Sequence, residues 1–223
     1  MARTKAKSAW MRRHVNDPYV QRAQAEGYRS RAAYKLLQIA AREHLLAPGM
    51  TVIDLGAAPG GWSQVAAAAV APGGRVIAVD RLAMEPVAGV TFVRGDFHEP
   101  GTLAEVVRLL AGKRADLVLS DLSPNISGIA SLDQARAAAL AELAWEFTVN
   151  YLKPEGNFLI KAFQGSDFDA FLRQLRQRFR QVRVRKPEAS RSGSREVYLL
   201  AQGLKPDRGG QVPMSAASRC KCV

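Results

Sequence analysis

Two patterns of apolar and polar positions alternate along the chain. Short apolar segments rich in β-branched residues predict buried strands at residues 51–55, 75–80, 90–97, 115–121, 156–163 and 195–201. Between them, apolar residues recur at helical spacing and predict helices at residues 28–46, 62–70, 102–112, 131–151 and 168–179. The spacing of Ser131 and Gln134 predicts a capping box at the fourth helix. Strands that alternate with helices predict an α/β fold, a doubly wound sheet with helices on both faces.

The composition is typical of one soluble domain. The chain has 223 residues, of which 48% are hydrophobic and 23% charged. Its longest apolar run, residues 65–71, is far shorter than the roughly 18 to 20 residues of a membrane-spanning helix. Both cysteines, Cys220 and Cys222, lie near the carboxyl terminus, so no disulfide framework is predicted. We expect a monomeric, cytoplasmic protein with no membrane association.

Positive charge is concentrated at the two ends of the chain. Residues 1–35 and 173–223 together carry a net charge of +17, whereas the residues between them carry −5. Near the amino terminus, cations are interleaved with aromatic residues: Arg12, Arg13, Arg22, Arg29 and Arg31 with Trp10, Tyr19, Tyr28 and Tyr34. Cations bind phosphates and flat rings stack on unpaired bases, so this pattern predicts RNA as the partner.

The charge distribution also predicts the domain boundaries. Residues 1–30 are predicted to be a basic RNA-binding segment, residues 31–201 the globular domain, and residues 202–223 a basic, disordered tail.

Acidic residues end four successive predicted strands. Asp54, Asp80, Asp96 and Asp121 each lie at or just beyond the end of a strand. Ligands of doubly wound sheets bind at the carboxyl ends of the strands, so these carboxylates are predicted to line one rim. Any one of them alone would also suit a turn or a helix cap. Four in succession favour a binding site.

A glycine-rich turn at residues 56–61, "GAAPGG", joins the first strand to the following helix. A Walker A loop carries a lysine after its last glycine, but Trp62 follows Gly61 here, which excludes a triphosphate loop. The dinucleotide fingerprint needs a glycine two places after Gly56, where Ala58 stands. A variant turn that binds a nucleoside without a pyrophosphate remains.

The residues around this turn indicate an adenosine derivative that carries an amino-acid group. Gly56, Gly60 and Gly61 allow the backbone to approach a ligand closely. Asp80, which follows Gly56 by 24 residues, suits hydrogen bonds from both ribose hydroxyls. Asp96 suits a hydrogen bond from the exocyclic amine of adenine.

Five segments of the chain resemble the FtsJ/RrmJ family of S-adenosylmethionine-dependent ribose 2′-O-methyltransferases. In chain order they are "GYRSRAAYKL", "DLGAAPGGWSQ", "SDLSPNISG", "KAFQG" and "SREVYLLA". The resemblance runs from about residue 8 to residue 201 and extends to the bacterial members that act on large-subunit rRNA. It implies a Rossmann-like, seven-stranded methyltransferase sheet, mostly parallel with an antiparallel last strand, in the domain at residues 31–201.

The same resemblance implies the functional residues. The family's catalytic tetrad falls on Lys35, Asp121, Lys161 and Glu196, so every member is present. The implied contacts with S-adenosylmethionine fall on Gly60, Gly61, Trp62, Asp80, Asp96 and Asp121. For Trp62, a core position at the start of a helix is the alternative. No metal is implied.

Lys161 is the residue expected to deal with the proton of the attacking hydroxyl, and two versions remain open. As a neutral base it would have to lose its charge, which a second cation at Lys35 favours and the carboxylates of Asp121 and Glu196 oppose. As a charged clamp it would hydrogen-bond the developing alkoxide while water receives the proton.

The expected reaction is methylation of the ribose 2′-hydroxyl of a uridine in the A-loop of 23S rRNA, in the large ribosomal subunit. A base splayed out of a loop presents its ribose better than a paired one. One alternative is the same chemistry on a tRNA anticodon loop or an mRNA cap. Another is a non-catalytic RNA-binding assembly factor, against which the complete tetrad argues.

Overall fold

The computed structural model describes residues 17–125, 127–191 and 193–206. Helices α1 to α6 span Pro18–Ala25, Ala32–Glu43, Gly61–Val70, Pro100–Leu110, Ala130–Tyr151 and Phe168–Arg178. Strands β1 to β7 span Thr51–Leu55, Arg75–Asp80, Val90–Arg94, Ala115–Ser120, Leu152–Phe163, Phe179–Arg185 and Glu196–Leu204. Across the described ranges, no helix is long and apolar enough to cross a membrane.

The strands form one sheet in the order β3-β2-β1-β4-β5-β7-β6. Strands β1 to β5 are parallel, and β7 is antiparallel to both β5 and β6. The predicted Rossmann-like, seven-stranded, mostly parallel sheet is therefore confirmed. Because β2 lies on one side of β1 and β4 on the other, the carboxyl ends of β1 and β4 border the point where the strand order reverses. Ligands bind at such points in doubly wound sheets.

Helices cover both faces of the sheet. Helices α4, α5 and α6 pack on one face, and α2 and α3 pack on the other. Successive residues of a strand point to opposite faces, so Val52 packs with the second layer and Ile53 with the first. A strand that is buried on both faces must be apolar throughout, and this explains the continuous apolar runs in the sequence.

The chain before β1 forms two helices instead of the single predicted one. Asp17 caps α1 by accepting a hydrogen bond from the backbone nitrogen of Tyr19 at 3.1 Å, and Pro18 takes the first helical position. Gly27 adopts a φ of 76°, a left-handed conformation that ends α1 and turns the chain toward α2. The residues "DPYV" carry a helix-start signal, but α1 has few apolar residues and therefore no clear helical period.

Strand β6 is absent from the sequence pattern. It is an outermost strand of the sheet. In its sequence "FRQVRVR", only Val182 and Val184 keep the period-two alternation of a strand. Phe179 has helical spacing from Leu175, which assigned it to the preceding helix, yet it begins the strand. Charged residues are common on such outermost strands because they discourage pairing with another chain.

The predicted capping box at Ser131 is wrong. Helix α5 begins at Ala130 without a side-chain cap. The carboxylate of Asp133 instead accepts hydrogen bonds from the backbone nitrogens of Ser127 and Gly128, at 2.7 and 3.1 Å, and from the Ser127 hydroxyl at 2.7 Å. These bonds fix the loop between β4 and α5 to the helix that follows it.

The folded domain extends past both predicted boundaries. Strand β7 continues to Leu204, three residues beyond residue 201. At the other end, Arg31 pairs with Asp17 and donates to the carbonyl oxygen of Ala189, so residues 17–30 pack on the domain. Outside the described residues lie several parts of the predicted termini: Trp10, Arg12, Arg13, most of the tail, Cys220 and Cys222.

Candidate active site

The structure brings the four sequence-predicted catalytic residues together at the edge of the sheet that is formed by the carboxyl ends of the parallel strands. Asp121 directly follows β4, and Lys161 lies near the end of β5. Because β7 is antiparallel to β5, its first residue, Glu196, lies at the same edge. Lys35 reaches this edge from α2, which packs on the same face as Tyr198.

These residues form two ion pairs. Lys35 Nζ lies 2.6 Å from Glu196 Oε1. Lys161 Nζ lies 3.2 Å from Asp121 Oδ1 and donates to the Asp121 carbonyl oxygen at 2.8 Å. The Lys161 side chain is only 6% exposed, which a lysine in a sheet tolerates because both contacts satisfy its ammonium group.

Tyr198 joins the two ion pairs, and the sequence did not indicate it. Its hydroxyl lies 3.1 Å from Asp121 Oδ1 and 3.2 Å from Glu196 Oε1. Burial raises the pKa of Tyr198 well above its ordinary value, and the charges of Asp121 and Glu196 raise it further, so the phenol keeps its proton and donates. In the sequence, a tyrosine in an apolar strand is read as a core residue. The one available signal was its position two residues after Glu196, because residues i and i+2 of a strand point to the same face.

Glu196 is ionised in this cluster. Burial acts to raise the pKa of Glu196, but the charge and hydrogen bond of Lys35, the charge of Lys161 and the hydroxyl of Ser190 lower it below its ordinary value. The Ser190 hydroxyl lies 3.1 Å from Glu196 Oε1. The cluster therefore holds an alternating set of ammonium and carboxylate charges at the rim.

Asp80 holds the glycine-rich turn beside this cluster. Its Oδ2 accepts from the backbone nitrogen of Ala58 at 2.9 Å, and its Oδ1 accepts from that of Leu82 at 2.8 Å. Gly56 and Gly60 adopt φ values of 78° and 109°, which the turn requires. Each carboxylate oxygen of Asp80 retains a lone pair for a further donor.

A buried acidic side chain lies beneath the turn, near two further carboxylates. Asp54 is fully buried, and its Oδ2 accepts from the Ser63 hydroxyl at 2.6 Å. Burial raises the pKa of Asp54 to about 7, with the charges of Asp121 and Asp80 adding to it and the Ser63 hydrogen bond opposing it. Among the described residues, Asp54 Oδ1 and the hydroxyl of Ser120 are buried and have no hydrogen-bond partner. This part of the rim favours a ligand that brings positive charge and donors.

Asp96 lies on the loop after β3. Its Oδ1 accepts from the backbone nitrogen of His98 at 3.1 Å and lies 2.8 Å from the ring Nδ1 of His98. Burial acts to raise the pKa of Asp96, but the two contacts with His98 lower it below its ordinary value. Oδ2 lies 3.9 Å from Arg81, too far for a hydrogen bond, and is the oxygen open to a ligand donor.

Two residues predicted to contact the cofactor, Gly61 and Trp62, have roles in packing within the protein. A Cβ at Gly61 would lie 2.5 Å from the Ser30 hydroxyl oxygen, so packing against the chain before α2 requires glycine there. Trp62 is buried, donates from Nε1 to the Ala32 carbonyl oxygen at 2.8 Å, and packs against Tyr198 with ring centroids 5.6 Å apart. Direct ligand contact by either residue stays a prediction.

Some of the arginines and tyrosines that were predicted to bind RNA make contacts within the protein, and their binding to RNA stays a prediction. Arg29 donates to the carbonyl oxygens of Glu85 and Pro86, the latter at 2.6 Å. The ring of Tyr34 is buried and unavailable for stacking on a base. Arg22 lies over that ring, 4.8 Å from its centroid.

Known proteins similar to this chain have one family in common. The sequence profile of the FtsJ-like methyltransferase family matches residues 28–204. A relative from Nitrosospira multiformis, named ribosomal RNA large subunit methyltransferase E, is 57% identical over 205 residues, covering 92% of this chain and 100% of the relative. A relative of the same name from Thiobacillus denitrificans is 55% identical over 216 residues, covering 97% of each chain.

A solved structure has the same fold. It is described as a ribosomal RNA methyltransferase from Plasmodium falciparum and superposes with a TM-score of 0.72 at 26% sequence identity. The superposition covers 79% of this chain and 98% of that chain.

Proposed function

Because the chain belongs to the FtsJ-like methyltransferase family, we propose that it methylates the ribose 2′-hydroxyl of a uridine in the A-loop of 23S rRNA, using S-adenosylmethionine. The resemblance that the sequence predicted is confirmed by the family match. The observation that carries the reaction type is the convergence of Lys35, Asp121, Lys161 and Glu196 around the hydroxyl of Tyr198. The substrate class rests on the names of the relatives.

The rim fits S-adenosylmethionine by charge and by donor pattern. Asp80 and Asp96 have carboxylate oxygens available for ribose hydroxyls and for an adenine amine. The buried carboxyl group of Asp54 and the Ser120 hydroxyl, which has no partner among the described residues, suit the ammonium-bearing end of the donor. When bound, S-adenosylmethionine supplies a methyl group already activated by its sulfonium.

The residues of the cluster then have to position a ribose oxygen and manage one proton. Both contacts of Lys161 are ones that an ammonium group makes, a carboxylate and a carbonyl oxygen. They support the charged-clamp version, in which Lys161 orients the 2′-hydroxyl and stabilises the developing alkoxide while water receives the proton. Lys35 and Glu196 hold the other side of the cluster in a fixed geometry.

Methyl transfer to separated RNA fractions tests this function. Labelled S-adenosylmethionine is offered with large ribosomal subunits, small subunits or tRNA, each from a strain that lacks the protein. We expect label only in large subunits and, by mass spectrometry, on the ribose of one uridine in 23S rRNA. Label in tRNA would instead identify tRNA as the substrate. S-adenosylmethionine binding without transfer to any RNA would favour the assembly-factor alternative.

Replacing Asp80 with alanine is expected to weaken S-adenosylmethionine binding about 100-fold, because two charge-assisted hydrogen bonds to the ribose are lost. Isothermal calorimetry measures this. Asp116→Ala is the matched control, since Asp116 also accepts from a backbone nitrogen, that of Thr51 at 2.7 Å, but at the opposite edge of the sheet. Equal affinities of the two variants would remove Asp80 from the proposed site.

RNA binding is expected to weaken with salt, because cations at the rim release counterions from phosphates. Arg195 is exposed and precedes Glu196. Replacing Arg195 with glutamine should reduce the slope of log affinity against log salt by about 0.7 to 0.9. Arg108→Gln, on α4 and paired with Glu105, should leave the slope unchanged. A wild-type slope near zero in filter binding would contradict phosphate contacts altogether.

A further inference from the structure

A groove lies between α5 and α6 on the face of the sheet opposite Lys35. Its cavity volume is 370 Å³, within the range of about 300 to 1,000 Å³ typical of small-molecule sites. Alanines line much of it, including Ala138 and Ala141 of α5, and aromatic residues of α6 and the end of β5 complete the walls, including Phe163 and Phe168. The proposed function assigns nothing to this groove.

The upper wall of the groove is held by specific contacts. Gln134 at the start of α5 donates from Nε2 to the hydroxyl of Ser166 at 3.1 Å. A Cβ on Gly165 would lie 1.8 Å from the same nitrogen, so a side chain there would displace the Gln134 amide from this contact. The loop that follows β5 is therefore hydrogen-bonded to α5, and the groove lies open below this loop.

Phe163 connects the groove to the candidate active site. Its ring lines the cavity, and Lys161 Nζ lies 5.9 Å from the ring centroid. In a nucleotide, the base is attached to the carbon next to the one that bears the 2′-hydroxyl. A nucleotide whose 2′-hydroxyl reaches Lys161 therefore has its base within reach of Phe163.

The chemistry of the walls selects the occupant. Within the part of the chain that the structure describes, the polar residues of the lining are Gln134, Glu142, Asp167 and Gln174, and no lysine or arginine lines the cavity. Carboxylates repel a phosphate, which excludes the RNA backbone as the occupant. Apolar and aromatic walls with a few amide and carboxylate groups suit a flat, neutral ring that has an N–H donor, as bases extruded from RNA do in other enzymes.

We propose that the groove between α5 and α6 receives the base of the nucleotide that is methylated, extruded from its RNA loop. The inference rests on the proposed function, because it places the 2′-hydroxyl of that nucleotide at Lys161. The base would enter beside Phe163 and lie against the alanines of α5.

Filling the groove tests the proposal. Ala138→Leu and Ala141→Leu add bulk to the cavity wall and keep a good helix former. Each should lower kcat/KM for large subunits about 100-fold, because a base that cannot enter displaces the 2′-hydroxyl. Calorimetry should give an unchanged affinity for S-adenosylmethionine. Ala135→Leu is the matched control, since Ala135 is exposed on the same helix and outside the groove.

Photocrosslinking of the wild-type protein gives an independent result that does not depend on folding of a variant. Large subunits are prepared from the strain lacking the protein, grown with 4-thiouracil, and irradiated with the enzyme. We expect the 4-thiouridine at the methylated position to crosslink to peptides containing Phe163 or Phe168. Crosslinks only outside the groove, or Ala138→Leu as active as Ala135→Leu, would overturn the proposal. Wild-type protein that methylates no RNA would instead overturn the proposed function.

Discussion

Replacing Lys161 with alanine is expected to lower kcat about 1,000-fold, because one positioned group that manages charge and proton contributes this much in comparable enzymes. The affinity for S-adenosylmethionine should be unchanged, since Lys161 is not among the predicted contacts with S-adenosylmethionine and Asp121 keeps the Tyr198 hydroxyl as a donor. Single-turnover methyl transfer to large subunits measures the loss, and calorimetry measures the affinity.

The structure offers a matched control on the same strand. Lys153 also lies in β5 and pairs with an aspartate, Asp116, but at the opposite edge of the sheet. Lys153→Ala should therefore keep full turnover. Loss of Lys161 leaves Asp121 with the Tyr198 hydroxyl as a donor, so the variant is expected to fold, and thermal unfolding checks this.

An arginine at position 161 separates the two versions of the mechanism. Arginine stays charged throughout the accessible pH range, so it can act as a clamp but not as a neutral base. We expect Lys161→Arg to retain measurable turnover, well above that of Lys161→Ala. Turnover of the arginine variant as low as that of the alanine variant would instead favour the neutral base.

Most of the architecture could be predicted because parallel strands leave a strong local signal. Segments such as residues 51–55 and 75–80 are buried on both faces and read as continuous apolar runs. Strand β6 has three arginines among its seven residues, and α1 has only two buried residues, Val20 and Ala23, so neither leaves a strong apolar pattern. Their stability comes from packing against distant parts of the chain, which local pattern does not record.

The candidate site was predictable in its members but not in its connections. The strand-end aspartates and the tetrad could be chosen from motif and position. That the Tyr198 hydroxyl bridges Asp121 and Glu196 could not, because those contacts join residues up to 77 positions apart. The same limit explains Arg29, which donates to the carbonyl oxygens of Glu85 and Pro86, more than 50 positions away.

Asp54 gives the second large effect, a stability that depends on pH. Burial raises the pKa of Asp54 to about 7 in the folded protein, from an ordinary value of 3.8. At low pH the carboxyl is protonated in both states and costs nothing. As pH rises, the unfolded chain ionises Asp54 first, so the folded protein loses stability progressively until pH passes the folded pKa.

Asp54→Asn removes this penalty and keeps an oxygen acceptor for the Ser63 hydroxyl. Relative to the wild type, the variant should therefore gain stability with rising pH. The gain should grow by about 2 to 3 kcal/mol between about pH 5 and about pH 8, from 1.36 kcal/mol per pKa unit. Urea unfolding at several pH values without S-adenosylmethionine measures it.

Glu105→Gln supplies the contrasting case. The hydrogen bond of Arg108 lowers the pKa of Glu105 below its ordinary value of 4.5, so Glu105 is ionised in both states across this pH window. Its replacement should show no stability gain with pH. If Asp54→Asn behaved like Glu105→Gln, Asp54 would be ionised in the folded protein with a compensating partner. Burial would then not raise the pKa of Asp54, and the predicted dependence of stability on pH would be wrong.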